Sequence, residues 1–214
     1  MKYQNEFSYW QTAFVGEGHT FLNAHYARRM LHLAGEQDDD FLRGKIVADF
    51  GCGPRGSLAW TQCPALRIGI DVLASTYIDA FADVMLRHGM VYVTSTERTI
   101  PLPDDFVDIM FTLNAMDHVD DFAQMATEVL RVLKPGGTFI GSFNLHEPTT
   151  DCEPQTLTED IIRQNLLHRL HVTSYRAAIK HPQDPYKFLH ENKLAKTLAP
   201  DEQYVLWVRG DKRP

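Results

Sequence analysis

The 214-residue chain has only three cysteines, Cys52, Cys63 and Cys152. An odd number without metal-ligand spacing argues against a disulfide framework and predicts neither a zinc site nor any other metal site. A surplus of positive charge is also missing, since 21 Lys and Arg stand against 28 Asp and Glu, a formal net charge of -7. Affinity for nucleic acid comes largely from counterion release by clustered cations, so no nucleic-acid partner is expected. No run approaches the roughly 18 consecutive apolar residues of a membrane span. The opening Met1-Lys2-Tyr3-Gln4-Asn5-Glu6 is not a basic segment followed by an apolar one. These absences predict a soluble, cytoplasmic protein without a membrane partner, a monomer or homodimer. No repeat or low-complexity tract divides the chain, and 44% hydrophobic residues suffice for one core. A single domain over 1–214 is therefore expected.

What is present has two textures, separated by the acidic run Glu36-Gln37-Asp38-Asp39-Asp40, which reads as a solvated connector. Before it, Phe7, Trp10 and Phe14 fall at helical spacing until Gly16 and Gly18 interrupt, and a second helical stretch, about Thr20 to Ala34, stops at Gly35. After it, short β-rich runs alternate with helical patterns. Lys45-Phe50, Leu66-Asp71, Met90-Ser95, Val107-Leu113 and Thr138-Phe143 read as strands, and such alternation implies a parallel sheet with helices on both faces. Phe122, Met125, Ala126, Val129, Leu130 and Leu133 mark one face of a helix with Asp120 as its expected N-cap, ended by Lys134-Pro135-Gly136-Gly137. Thr156-Leu157-Thr158-Glu159 matches a capping box that opens a helix through about Leu170. His171 to Ile179 and Tyr204 to Val208 follow as strands without a clear crossover, which suits an antiparallel pair at the sheet edge.

Directly after the first strand comes Gly51-Cys52-Gly53-Pro54-Arg55-Gly56, a G-x-G-x-x-G sequence, and Asp71 ends the next strand. Glycine lets the backbone turn tightly and approach a ligand, while a carboxylate at the second strand end can accept from both hydroxyls of a ribose. The pattern alone fits NAD as well as other nucleoside cofactors. Asp49, two residues before Gly51, weighs against a pyrophosphate because like charges repel, and suits a cofactor bearing an ammonium and a sulfonium.

Val47-Ala48-Asp49-Phe50-Gly51-Cys52-Gly53-Pro54, then Gly69-Ile70-Asp71, Ile100-Pro101-Leu102-Pro103-Asp104-Asp105-Phe106-Val107-Asp108 and Arg131-Val132-Leu133-Lys134-Pro135-Gly136-Gly137 follow one another in order. Over roughly residues 45 to 145 the chain thereby resembles the class I S-adenosylmethionine-dependent methyltransferases. The resemblance implies a single-domain Rossmann-like α/β fold, a mostly parallel seven-stranded sheet with an antiparallel edge strand and helices on both faces. It implies S-adenosyl-L-methionine as cofactor and S-adenosyl-L-homocysteine as product. Asp49 and the Gly51-Cys52-Gly53 backbone would hold the methionine end, Asp71 the ribose diol and Val72 the adenine face, with Thr96 or Glu97 accepting from the adenine amino group. The N-terminal helical segment 1–40, with Trp10 and His19, would cover the cofactor and substrate. Arg55 departs from the small residue common at its position and reads either as facing solvent or as binding a carboxylate.

Ligands of open α/β sheets sit outside the carboxyl ends of the strands. Asn114, Asp117 and His118 follow one strand and Asn144, His146 and Glu147 another, so Asn114, His118 and His146 are the candidates for the acceptor side, with Asn114 also a candidate contact to the cofactor. A neutral imidazole is a competent base, although His118 also reads as packing at the start of the next helix. Attack on a sulfonium methyl needs mainly in-line positioning. The expected activity is methylation of a small metabolite at O, N or S. An RNA or protein acceptor, a module that binds the cofactor without transfer, and an NAD-dependent oxidoreductase are the other readings.

Overall fold

The computed structural model describes residues 2–214; residue 1, the start of the expected domain, lies outside them. Two helices, α1 (Lys2–Gly16) and α2 (His25–Ala34), come first. The strands are β1 (Ile46–Phe50), β2 (Leu66–Asp71), β3 (Val91–Thr94), β4 (Val107–Leu113), β5 (Leu133–Leu145), β6 (Leu170–Ile179) and β7 (Tyr204–Lys212). They form one seven-stranded sheet in the order β3-β2-β1-β4-β5-β7-β6. The first five are mutually parallel, and β7 runs antiparallel to both β5 and β6. The late strands thus make the expected antiparallel pair at one side, with the reversed strand one position in from the edge. Helices α3 (Ala74–Met85), α4 (Phe122–Val132), α5 (Glu159–Asn165) and α6 (Lys187–His190) connect them. No described helix is long and apolar enough to cross a membrane.

Alternate residues of the central strands serve opposite faces, as a parallel sheet buried on both sides requires. Ala48, Phe50 and Met110 pack with Phe122, Met125 and Val129 of α4 and Ile162 of α5. Val47, Ile109, Phe111 and Trp207 pack with Met30 and Leu33 of α2. A third cluster joins Tyr77 and Phe81 of α3 to Phe21, with Phe7, Trp10 and Phe14 of α1 against it. None of α1 is fully buried, so that helix lies on the molecule, where it borders the cleft described below. The strand order reverses between β1 and β4, and the crevice of such a sheet opens there.

Several boundaries differ from expectation for local reasons. Helix α2 starts at His25, not near Thr20, and ends as expected at Gly35, whose φ of 75° accommodates the C-cap. The N-cap of α4 is Asp121, one residue later than expected; its extended backbone lets the carboxylate accept from Gln124 N–H at 3.0 Å. Thr158, not Thr156, caps α5, which spans only Glu159–Asn165. Lys134-Pro135-Gly136-Gly137 lies within β5 as an irregularity, between the pairs Val107 with Leu133 and Ile109 with Thr138. The acidic connector is tied down at two points: Glu36 pairs with Arg209 at 2.6 Å, and Asp39 accepts from Thr61 Oγ1 at 2.6 Å.

Candidate active site

The site begins where β1 ends. Gly51 and Cys52 both donate backbone N–H groups to the Ile70 carbonyl, at 2.8 and 3.3 Å, which bends the chain sharply beside β2. Gly51 has a φ of 74°, and a Cβ there would lie 2.1 Å from the Ala115 Cβ, so no other residue fits. Gly53, at a φ of 55°, passes under Trp10, whose ring would be 2.9 Å from an added Cβ. Its N–H donates to Asp71 Oδ2 at 3.0 Å, while Leu73 N–H donates to Asp71 Oδ1 at 2.9 Å. Two main-chain donors thus fix the Asp71 carboxylate at the end of β2. Burial pushes its pKa up to about 6 despite those donors.

Asp49 lies deeper, in β1. It is 2% exposed, and its Oδ1 has no hydrogen-bond partner. Burial pushes this carboxyl up to about 7, against the lowering effect of the Ser57 hydroxyl and with the Asp71 charge adding to the rise. A buried carboxylate oxygen without a partner carries a desolvation cost that a cationic ligand group would offset.

A cavity of about 440 Å³ opens at these strand ends, within the range of small-molecule sites. Of the residues expected to bind cofactor, Gly51, Cys52, Asp71, Val72, Thr96, Glu97 and Asn114 line it, as do Trp10 and His118. Asp49 and Gly53 do not line it; Gly53 acts on the lining only through its N–H to Asp71. His19 and His146 do not line it. His19 is exposed and edge-on to the Phe14 ring. The His146 Nδ1 lies 2.9 Å from the Glu202 carbonyl and its ring is edge-on to Tyr204, because the chain has turned away from the cleft after β5. Both leave the candidate set. Arg55 binds a carboxylate, but an internal one: it pairs with Glu17 and donates to the Leu22 carbonyl at 2.8 Å, with its guanidinium over Trp10.

Helix α1 closes one side. Lys2 and Tyr3 both donate to Glu97, and Trp10 Nε1 donates to Glu6 at 2.7 Å. Glu97, one of the two expected adenine partners, thereby ties α1 to the cavity rim. The Thr96 hydroxyl itself accepts from Thr99 N–H at 2.9 Å. On the other side, Asn114 sits at a φ of 49° just past β4. Its Oδ1 accepts from Ser142 Oγ at 2.6 Å and its Nδ2 donates to Asn144 Oδ1 at 2.9 Å. Asn144 Nδ2 continues the network to Asp117 Oδ2 at 3.4 Å. Asp117 is buried, its Oδ1 has no hydrogen-bond partner, and burial raises its pKa to about 6. His118 is not packed away: its side chain is 36% exposed at the cavity wall, with Nε2 3.6 Å from Glu153 Oε1.

Sequence patterns missed Tyr26, Glu6 and Cys152, which also line the cavity. Glu6 was traceable as the i,i+4 neighbour of Trp10 on a helix. Tyr26 and Cys152 carry no local signal, since one belongs to an amphipathic helix and the other to an irregular loop.

The donor set fits a cationic nucleoside: a buried carboxylate at Asp49 with Oδ1 unpartnered, a fixed carboxylate at Asp71, and a glycine turn with no room for a side chain. Comparison with known proteins agrees. Residues 48–141 match the family model described as a methyltransferase domain. The fatty-acid O-methyltransferase of Mycolicibacterium smegmatis is 31% identical over 121 residues, 54% of this chain and 42% of that protein. The dimethylglycine N-methyltransferase of Parasynechococcus marenigrum is 26% identical over 117 residues, 52% of this chain and 42% of that protein. The chain spans about two-fifths of the length of these curated relatives. Among solved structures, an S-adenosylmethionine dependent methyltransferase from Mesorhizobium loti superposes with a TM-score of 0.58 over 80% of this chain and 92% of its own, at 16% identity.

Proposed function

We propose that this chain, which belongs through residues 48–141 to the class I S-adenosylmethionine-dependent methyltransferases, transfers a methyl group to O, N or S of a small metabolite. The cofactor supplies a methyl already activated by its sulfonium and leaves as S-adenosyl-L-homocysteine. The protein's task is then to hold and orient, and to exclude water. Asp71 accepts from the ribose hydroxyls with the lone pairs that Gly53 and Leu73 leave free. Asp49, buried at the end of β1 and outside the cavity lining, favours the ammonium through its charge, Val72 flanks the adenine, and Thr96 meets its edge. Asn114, locked by Ser142 and Asn144, sets the acceptor side together with His118.

The observation that carries this reading is the fixed Asp71 carboxylate in the wall of a cavity built on the ends of β1, β2 and β4. A small acceptor is supported by the cavity volume of about 440 Å³, by α1 tied across one side through Glu97, and by a net charge of -7. Two relatives named for small acceptors, a fatty acid and dimethylglycine, point the same way. A cytoplasmic location belongs to the same reading, in keeping with three unpaired cysteines. The test is incubation of the purified chain with S-adenosylmethionine labelled in its methyl group and a library of small metabolites. Label in a small product is expected; label found only in added RNA or protein would contradict the reading.

A further inference from the structure

We infer that Asp117, His118 and Glu153 form a binding site for a first-row transition-metal dication at the acceptor side of the cleft. Each offers one ligand atom, and these atoms all lie within 4.8 Å of one another. His118 Nε2 is 3.6 Å from Glu153 Oε1 and 4.0 Å from Asp117 Oδ1. An imidazolium bridging two carboxylates would sit at about 2.7 to 2.9 Å from each. The observed separations are too long for such bonds. They are close to the spacing of ligands around a tetrahedral ion, about 3.4 Å for metal–ligand bonds of roughly 2.0 to 2.2 Å. Binding an ion draws the three atoms together from separations of 3.6 Å, 4.0 Å and at most 4.8 Å, which side-chain rotation of the loop residue Glu153 supplies.

Asp117 provides a separate indication. Its side chain is 5% exposed, and Oδ1, the oxygen facing His118, has no hydrogen-bond partner. A carboxylate oxygen so placed needs a compensating positive charge. Its other oxygen accepts from Asn144, which is held in turn by Asn114. That is the outer support a metal-ligating carboxylate usually has, and here it links the site to the acceptor end of β4. Imidazole with two carboxylates suits Zn²⁺, Fe²⁺, Co²⁺ or Mn²⁺ better than Ca²⁺. Three protein ligands leave a coordination position open, as catalytic sites do. His118 and Cys152, the residue before Glu153, both line the cavity, so that position is within reach of an acceptor. The preferred acceptor is then a molecule with an oxygen or sulfur anion able to bind a metal, a refinement that rests on the methyl-transfer reading. In this role His118 binds through Nε2 and is not the general base. The second acidic group, Asp39, Asp40 and Cys63, carries no such indication, because Asp39 already accepts from Thr61 and Asp40 from Arg43.

The test is titration of the metal-free full chain with Co²⁺, followed by visible absorption, in a Cys63→Ser background that removes the second group. One equivalent should bind with the ligand-field bands of nitrogen and oxygen coordination, and Zn²⁺ should displace it. Glu153→Gln and His118→Ala should each weaken binding at least tenfold. Glu153 is a loop residue with a 27% exposed side chain, so its variant should keep the wild-type circular dichroism. Absence of Co²⁺ binding, or binding that Glu153→Gln leaves unaltered, would overturn the proposal. Cofactor affinity is measured separately by calorimetry without metal, so failure there counts against the methyltransferase reading and not against the metal site.

Discussion

At the scale of single residues, Asp49 of β1 and Asp71 at the end of β2 are distinguished by what satisfies them. Asp71 is held by the N–H groups of Gly53 and Leu73. Asp71→Ala removes the proposed acceptor for the ribose and also strands both donors. Cofactor affinity should fall about 10- to 100-fold, the worth of hydrogen bonds to a charged group, and the melting temperature should fall as well. From sequence alone only the first effect was expected, because a partner for Gly53 N–H cannot be read from a motif. Calorimetry and thermal melting check the two separately, and unchanged affinity would remove Asp71 from the ribose. Asp49 makes the opposite stability prediction. Its folded pKa of about 7 lies above the ordinary 3.8, so the folded state keeps a proton that the unfolded chain has released. Stability without cofactor should therefore fall as pH rises from about 4 to 7, with a smaller loss of the same sign from Asp71 at about 6. Asp49→Asn should flatten that fall in melting temperature and yet bind S-adenosylmethionine at least tenfold more weakly at pH 8. A variant with the wild-type pH dependence would contradict the assignment.

At the scale of elements, α1 is the segment whose role depends on what lies beneath it. It has no fully buried residue, and it is held by Glu97 through Lys2 and Tyr3 and by aromatic contacts from Phe7 and Phe14 to Phe81. A helix so attached opens at low free energy. Its amides should exchange with deuterium faster than those of α4 in the absence of cofactor and become protected when S-adenosylmethionine binds. Equal protection in both states would show that α1 is not part of the cover. For α4 the prediction concerns stability: Asp121→Ala should cost about 1 kcal/mol, whereas Asp120→Ala should cost less than half of that. Adjacent acids at 120 and 121 make this cap unreadable by one residue from sequence, because only the extended backbone at Asp121 decides which carboxylate reaches Gln124 N–H. Thr156 and Thr158 pose the same ambiguity at α5. The body of α4 was legible, since its apolar face repeats at helical spacing over eleven residues.

At the scale of the whole molecule, the parallel half was legible because β1 is followed by the glycine turn, β2 by α3 and β4 by α4, although β3 passes to β4 through an irregular loop. Gly51, Asp71 and Asn114 were legible as residues at strand ends, and all three line the cavity. The acceptor side was not. Glu153 comes from an irregular loop 35 residues beyond His118, and only the folded sheet brings the two together. His146, by contrast, had the right position in sequence, after β5, but the chain carries it toward Glu202 and away from the cleft. The account rests most directly on the cavity at the ends of β1, β2 and β4 being a cofactor site. Calorimetric titration of the purified chain with S-adenosylmethionine at pH 8, where Asp49 is charged, tests this. One cofactor should bind per chain, with affinity reduced in both Asp71→Ala and Asp49→Asn. No saturable binding up to about 1 mM cofactor, an affinity weaker than about 4 kcal/mol, would contradict it.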